Sequence, residues 1–366
     1  MVIGIDAREI KNPYTGTGMY VINLIKSLAE QDIVNQYILF VDQGVELNIP
    51  LPTNFKYYNL SNVYFSKIQD QIIVPLAILF SKVDIFHVVH HDVTPFFSKA
   101  PVIVTVLDVA WLDFPGNSSK FFQRYYFLLT KFSLKKAKKI ITISESTKQR
   151  VIYHFSNISH KIESIIIACD PVFSLDTKED NFLSISAEFK IKKPYVLYVG
   201  SFAGRKNVKI LIEAMKIYWE NNDNSTQLVI AGKPSGKDDE ILNHLINRYP
   251  IVILSRPKTN IELKSLYKNA TVFVFPSLYE GFGLPVLEAM SSGCPVIASN
   301  STSIPEILGS HEFLFEPNDV KTLSKMIKIV LNNKELQLKL IKNGIRESLK
   351  FSWNKVAQET RKSYFN

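Results

Sequence analysis

Residues 275–293 read FPSLYEGFGLPVLEAMSSG. Two glutamates, Glu280 and Glu288, stand with seven residues between them, and Gly-Phe-Gly-Leu-Pro fills most of that interval. The stretch follows the apolar run VFVF, which predicts a buried strand ending near Pro276. Gly281 and Gly283 free an irregular loop to take positive φ. Pro285 suits the first turn of a helix, which would continue through Val286, Leu287, Glu288, Ala289 and Met290 and stop at Gly293. Glu280 is therefore expected on the loop and Glu288 one turn into the helix. The unpaired backbone N–H groups of Phe282, Gly283 and Leu284 would lie between them. A carboxylate accepts paired hydrogen bonds from a vicinal diol, so one acid would hold a nucleotide ribose and the other would hold or polarise a sugar. Taken singly, each has an ordinary explanation, Glu288 as an acid complementing the helix dipole and Glu280 as a loop acid in solvent. Both together, around this glycine turn, point to a ligand site.

The same grammar extends in both directions. VIGID, YILFV, DIFHVV, VIVTVLD, KIITIS and IESIII (162–167) read as strands, the first followed by a helical stripe of Tyr20, Leu24 and Leu28. A polar stretch, 174–193, carries Asp176, Lys178, Glu179 and Asp180 and reads as a linker. The pattern then restarts as YVLYVG, helix NVKILIEAMKIYW, LVIAG, a helix around 238–248, VILS, helix IELKSLYKNA and the opening segment. Repeated strand–helix units imply parallel sheets with helices on both faces. The expected division is 1–175, a linker at 176–193, and 194–351, with 352–366 as a closing helix. In open parallel sheets ligands sit at the carboxyl ends of strands, so the loops that follow strands carry the argument.

Two other loops stand out. NPYTGTG, 12–18, leads into a helix, and Gly16 and Gly18 either let the backbone approach a ligand or make an ordinary tight turn. It is not a G-x-G-x-x-G, so it gives no dinucleotide fingerprint. GSFAGRKN, 200–207, leads into a helix with Val208, Leu211, Ile212 and Met215 at helical spacing, and Asn207 is its expected N-cap. Arg205 and Lys206 then stand at the positive end of the helix dipole, where cations are disfavoured. An anion such as a diphosphate held between them and the N–H groups would reverse the sign of that interaction. Two solvated surface cations would cost only a few tenths of a kcal/mol, about what an exposed dipole mismatch costs.

Composition bounds the rest. The chain has 366 residues, 46% of them hydrophobic, which suits two globular domains. Two cysteines, Cys169 and Cys294, with no C-x-x-C pattern argue against a disulfide framework or a zinc site and suit a reducing cytosol. The opening MVIGIDAREI alternates like a strand and lacks the regions of a signal peptide. The most apolar run, IIVPLAILF, is too short to span a bilayer. The reading is a soluble cytoplasmic protein, at most peripheral on a membrane. Net charge is +9. Between Lys120 and Arg150 nine basic residues face Glu145 alone, with Phe121, Phe122, Tyr125, Tyr126, Phe127 and Phe132 interleaved. A solvated helix face accounts for such a run; an anionic membrane surface is the sharper reading. No nucleic-acid motif accompanies it.

These residues together resemble a known family. VFPSLYEGFGLPVLEAMSSGCPVIAS is similar to the E-x7-E signature of the retaining, GT-B-fold glycosyltransferases of family 4, the glycogen-synthase-like and mannosyltransferase-like group. IGIDAREIKNPYTGTGMYVINL, YVGSFAGRKNVKILIEAM, LVIAGKPSGKDDE, NSTSIPEILG and FSWNKVAQETRKSYF resemble its other segments, so the likeness covers nearly the whole chain. The resemblance implies two Rossmann-like domains facing across a cleft, with the carboxyl-terminal helix crossing back to the first. It also implies that Arg205 and Lys206 bind the donor diphosphate, with Ser201 in the same loop. Glu288 would bind the ribose, and Glu280 would lie beside the donor sugar. The amides of Phe282, Gly283 and Leu284 would hold sugar hydroxyls or phosphate, and Gly16 and Gly18 would line the cleft. Pro257 would sit near the base. On the acceptor side Asp108 follows Leu107, where the family usually reads His-Asp; His87, His90 and His91 lie nearby and either substitute for that histidine or, the plainer account of each, are structural histidines at a strand end.

The expected function is a retaining transfer of a hexose-type sugar from a nucleotide diphosphate sugar to a glycan or lipid-linked hydroxyl. No Asp-x-Asp occurs, so neither a metal nor another cofactor is expected. The rival readings are a nucleotide-sugar epimerase on the same fold and a non-catalytic GT-B partner subunit, the latter favoured by Leu107.

Overall fold

A computed structural model describes residues 1–60, 69–90, 94, 95, 97–114, 119–222, 225–232, 245–254 and 257–365. The chain forms two compact units, Met1–Ala168 with Ser352–Asn366, and Cys169–Phe351.

The described residues of the first unit form seven parallel strands: β1 Val2–Asp6, β2 Gln36–Asp42, β3 Phe55–Leu60, β4 Ile85–Val88, β5 Val102–Val106, β6 Lys139–Thr142 and β7 Ile162–Ser164. They lie in the order β3-β2-β1-β4-β5-β6-β7. Ile3 stands opposite Tyr37 on one side and Ile85 on the other. The second unit holds β8 Tyr195–Val199, β9 Gln227–Ala231, β10 Ile251–Leu254, β11 Val272–Phe275, β12 Val296–Ser299 and β13 Leu314–Phe315. Their order is β10-β9-β8-β11-β12-β13. Both sheets are covered on two faces, which is why their central strands are unbroken Val/Ile/Phe runs rather than alternating ones. In each sheet the winding reverses once, between β1 and β4 and between β8 and β11.

Local chemistry fixes the helices. Thr15 caps Gly16–Gln31, its side chain accepting from the Gly18 amide at 3.0 Å. Val208–Glu220 turns Leu211, Met215, Tyr218 and Trp219 into the core of the second unit. The last helix, Trp353–Phe365, packs in the first unit, with Trp353 edge-on to Tyr20 at 5.9 Å.

The segment expected as a linker, 176–193, instead carries the helix Phe182–Phe189. Buried Lys264 donates to the carbonyls of Ser174 and Thr177 at 2.6 Å each, and the Asn181 amide donates to Ser265. These bonds fasten the polar stretch to the second unit, which its composition did not reveal. Of the helix expected around 238–248, residues 238–244 lie outside the described residues, as does His91.

Candidate active site

The reversal between β8 and β11 makes these strands neighbours, with Val272 opposite Val196 and Phe273 opposite Leu197. Their carboxyl-end loops therefore meet. After β8 the backbone passes Gly200, at φ +151°, close against the end of β9: a Cβ on Gly232 would lie 1.8 Å from the Gly200 carbonyl oxygen. Glycine at 232 is what permits that approach. The chain then winds through the short 3-10 helix Gly204–Lys206. Asn207 does not cap the following helix by its side chain. It takes the left-handed conformation, φ 53°, and its side-chain Nδ2 donates to the Pro317 carbonyl at 2.8 Å.

The loop after β11 is stitched to this turn. The Leu278 amide donates to the Arg205 carbonyl at 2.7 Å, and the Arg205 guanidinium donates to the Tyr279 carbonyl at 3.0 Å. Lys206 Nζ lies 2.7 Å from Glu280 Oε1 and 5.3 Å above the Phe275 ring, and Arg205 reaches Glu280 Oε2 at 3.4 Å. Ser277 Oγ donates to Glu280 Oε1 at 2.5 Å. A third loop, after β12, braces the backbone that carries this carboxylate. The Glu280 amide donates to Thr302 Oγ1 at 3.0 Å, and Ser303 Oγ bonds the Glu280 and Phe282 carbonyls. Ser299 and Ser301 both donate to the Ser277 carbonyl.

The two cations expected to await an external anion thus already share an internal one, Glu280, whose side chain is 9% exposed. The cluster carries two positive charges against one negative, so an excess positive charge remains next to a turn of backbone amides. Gly283, at φ +112°, opens the helix Leu284–Ser291; a Cβ there would sit 3.1 Å from Ile307 and would also be strained. Phe282 is buried, its ring edge-on to Phe351 at 5.9 Å, and Leu284 is half-buried. This arrangement suits an anion with a large delocalised charge.

Glu288 lies on that helix, buried, and accepts a hydrogen bond from Tyr267 Oη at 3.1 Å. Tyr267 belongs to Asn260–Asn269, the helix that precedes β11. Cys169 stands nearby, its Sγ 3.3 Å from Ser291 Oγ; burial, with Glu288 and Asp170 close, pushes its thiol up to about 12. Neither cysteine is in a disulfide.

The remaining expected residues are placed as follows. Ser201 is exposed, and its carbonyl accepts from Tyr198. Pro257 is half-buried, beside residues 255 and 256, which lie outside the described residues. Gly18 is explained by packing alone, because a Cβ there would meet the Asn12 carbonyl oxygen at 2.0 Å; a Cβ on Gly16 would meet nothing within 4 Å. Asp108, after β5, accepts from the Ala110 amide at 3.1 Å, and Leu107 beside it is half-buried. His87 does not replace the missing histidine. It is fully buried on β4, with Nδ1 2.9 Å from Tyr364 Oη and Nε2 2.8 Å from Thr105 Oγ1, and desolvation lowers its pKa to about 3. It is a neutral core histidine.

Sequence reasoning passed over Ser277, Gly232, Thr302, Ser303 and Tyr267. It also missed Arg8, which pairs with Asp6 at 2.6 Å and Asp70 at 2.7 Å at the end of β1. Only the NSTS run hinted at the third loop.

On the first unit, helix Lys120–Lys136 buries Thr130, Ser133 and Leu134 and turns Phe121, Tyr125, Leu128 and Phe132 outward. Those four are spaced 4, 3 and 4 residues apart, one stripe of the helix. Exposed Arg124, Lys131 and Lys135 accompany them. Lys136 and Lys139 are not part of this face: Lys136 reaches the Pro95 carbonyl, and Lys139 pairs with Glu163 at 3.2 Å. No described helix is long and apolar enough to cross a membrane. Among the described residues no group of three or more His, Cys, Asp or Glu side chains is placed to hold a metal ion.

Comparison with known proteins gives these likenesses. The family model for "Glycosyl transferases group 1" matches residues 181–347. The chain is similar to the O-antigen chain mannosyltransferase B of Escherichia coli, 28% identical over 382 residues that cover 100% of this chain and 99% of that protein. Among solved structures it is similar to WaaG, described as a glycosyltransferase involved in lipopolysaccharide biosynthesis, with a TM-score of 0.75, 16% identity and 98% of each chain covered. It is also similar to Anabaena Alr3699/HepE in complex with UDP and glucose, with a TM-score of 0.71, 13% identity and coverage of 100% and 99%. At these identities the two structures speak to the fold alone.

Proposed function

We propose, from the premise that this chain is a glycosyltransferase with a group 1 domain over residues 181–347 and the GT-B fold, that it transfers a hexose-type sugar with retention. The donor is a nucleotide diphosphate sugar and the acceptor a hydroxyl of a lipid-linked glycan, in polysaccharide synthesis of the O-antigen or capsule type. A mannosyl donor is the first to test, because the relative matched along its whole length is a mannosyltransferase. The observation that carries the reading is the meeting of Arg205, Lys206 and Glu280 where the second sheet reverses.

In this reading the diphosphate joins Glu280 as a second anion on Lys206 and Arg205. Charge grows on the departing phosphate as the glycosidic bond breaks, and fixed cations and amides stabilise it without reorganising. No metal or other cofactor is invoked, since Arg205 and Lys206 meet that charge. Glu288 holds the ribose diol, and Glu280 lies beside the donor sugar. Retention by front-face attack needs no side-chain base, because the departing phosphate oxygen takes the acceptor proton; Asp108 then belongs to the acceptor side.

The enzyme is read as cytoplasmic and peripheral on the inner, anionic face of a membrane, where a lipid-linked acceptor is presented. What supports this is the outward stripe of Phe121, Tyr125, Leu128 and Phe132 with its basic escort. No Asp or Glu occurs from Phe114 through Ser144.

The test is transfer by purified protein from an α-linked nucleotide diphosphate mannose to a lipid-linked acceptor in the presence of a chelator. The one-bond carbon–proton coupling at the new anomeric centre should report an α linkage. A β linkage, with Asp108→Asn abolishing transfer but not donor binding, would overturn the retaining mechanism.

A further inference from the structure

We propose that Tyr267 is a positioning residue for Glu288, and that it sets the preference of the donor site for a nucleotide whose ribose carries both hydroxyls. The inference rests on the reading of Glu288 as the ribose acid.

Tyr267 is fully buried. Its ring stands edge-on to Phe273, centroids 5.1 Å apart at 87°, and to Phe173, 6.1 Å apart at 71°. Those two rings come from β11 and from the 3-10 helix Pro171–Phe173, so the phenol is fixed by packing from two separate elements. Its hydroxyl reaches Glu288 Oε2 at 3.1 Å. Burial and the adjacent carboxylate raise the phenol well above its ordinary pKa, so it stays protonated and can only donate to an ionised Glu288. A carboxylate has about four lone-pair sites. The phenol takes only one of these, on Oε2, and in doing so restricts rotation of the carboxylate. Preorganisation of this kind turns a flexible glutamate into a fixed bidentate acceptor. A glutamate placed merely to complement a helix dipole would need no buried donor behind it.

The experiment compares wild type, Tyr267→Phe and Glu288→Gln by calorimetric titration with UDP or GDP, whichever binds, and with its 2′,3′-dideoxy counterpart. Wild type should prefer the ribonucleotide by about tenfold or more, the effect of a charge-assisted hydrogen bond. Glu288→Gln should bring the ratio close to one. Tyr267→Phe, which keeps the ring, should lower the ratio severalfold while leaving dideoxy affinity unchanged. A wild-type ratio in Tyr267→Phe alongside a collapsed ratio in Glu288→Gln overturns the role of Tyr267 and leaves Glu288 as the ribose acid. A wild-type ratio in Glu288→Gln overturns the ribose reading itself. Equal weakening of both ligands in Tyr267→Phe, with a lower Tm, would make Tyr267 a core residue only. Should that variant not fold, the wild-type protein labelled with 13Cζ-tyrosine gives the answer. A tyrosine resonance that moves with the ribonucleotide and stays still with the dideoxy form, and that moves with neither ligand in Glu288→Gln, supports the proposal; no such resonance overturns it.

Discussion

Replacing Glu280 with glutamine removes the one carboxylate that Lys206 and Arg205 share while keeping its volume and its place in the loop. The Lys206 side chain is 14% exposed and that of Glu280 9%, so the pair is largely out of water; Arg205, at 29%, is partly screened. Removing one partner of a fully buried pair costs about 3–5 kcal/mol. Because Arg205 can turn part of its charge to solvent, the low end applies, about 3 kcal/mol lost by the second unit. The same change removes a negative charge from beside the proposed anion site. Two unit charges about 6 Å apart at an effective dielectric of about 20 repel by roughly 3 kcal/mol. Nucleotide diphosphate should therefore bind Glu280→Gln more tightly than wild type, by up to about a hundredfold, while transfer falls. Urea unfolding followed by Trp219 fluorescence, in a background with Trp111 and Trp353 replaced by Phe, reports on the second unit. Titration calorimetry gives the affinity. At about 100 times its dissociation constant the ligand should restore about 2.7 kcal/mol. An equally stable Glu280→Gln that binds nucleotide diphosphate more weakly than wild type would refute the view of Glu280 as the internal counter-ion of the phosphate cations.

Lys206→Ala should weaken nucleotide diphosphate binding by about 1.5–3 kcal/mol, a charged hydrogen bond lost, and leave binding of the bare nucleoside unchanged; equal weakening of both would make the loop structural. His87 gives a pH signature. Its folded pKa of about 3 lies below the ordinary 6.5, so the unfolded chain binds the extra proton first, and stability is full above pH 6.5 and lost as pH falls from 6.5 toward 3. At pH 5 the loss from this residue is about 2 kcal/mol, and the stability–pH curve of His87→Asn should lack that share of the acid slope; parallel curves would show that His87 is not held neutral. Replacing Phe121 and Leu128 with Ser, or Arg124, Lys131 and Lys135 with Ser, should each reduce sedimentation with phosphatidylglycerol vesicles, and the basic set should be the one whose effect fades in high salt. Unchanged sedimentation in both would leave the helix as a solvated face.

Much of the fold was legible because its signals are local. Strands buried on two faces must be apolar throughout, and the helices between them must be amphipathic, so the alternation of the two appears in the chain itself. The turn was readable in part: Gly283 takes the expected positive φ, +112°, and Pro285 and Gly293 bracket the helix on the expected sides, whereas Gly281 does not take the positive φ expected of it. The polar stretch 176–193 was misread because a side chain that anchors it, Lys264, lies some 90 positions away in sequence.

What charge placement means was not legible. Arg205 and Lys206 looked like cations in search of an anion, and only the pairing of β8 with β11 shows that Glu280, about 75 residues on, already supplies one. For His87 the sequence left two accounts open, a neighbour serving the site or a structural histidine, and the packing of the last helix, which brings Tyr364 to its Nδ1, decides for the second. The residue types and their spacing came from the chain alone, since helix, strand and turn chemistry act over a few residues. Which charges are paired, which are spent on the fold and which remain for a ligand was decided by strand order, since electrostatic energy depends on distance and burial in space, and strand order brings together residues that the sequence keeps far apart.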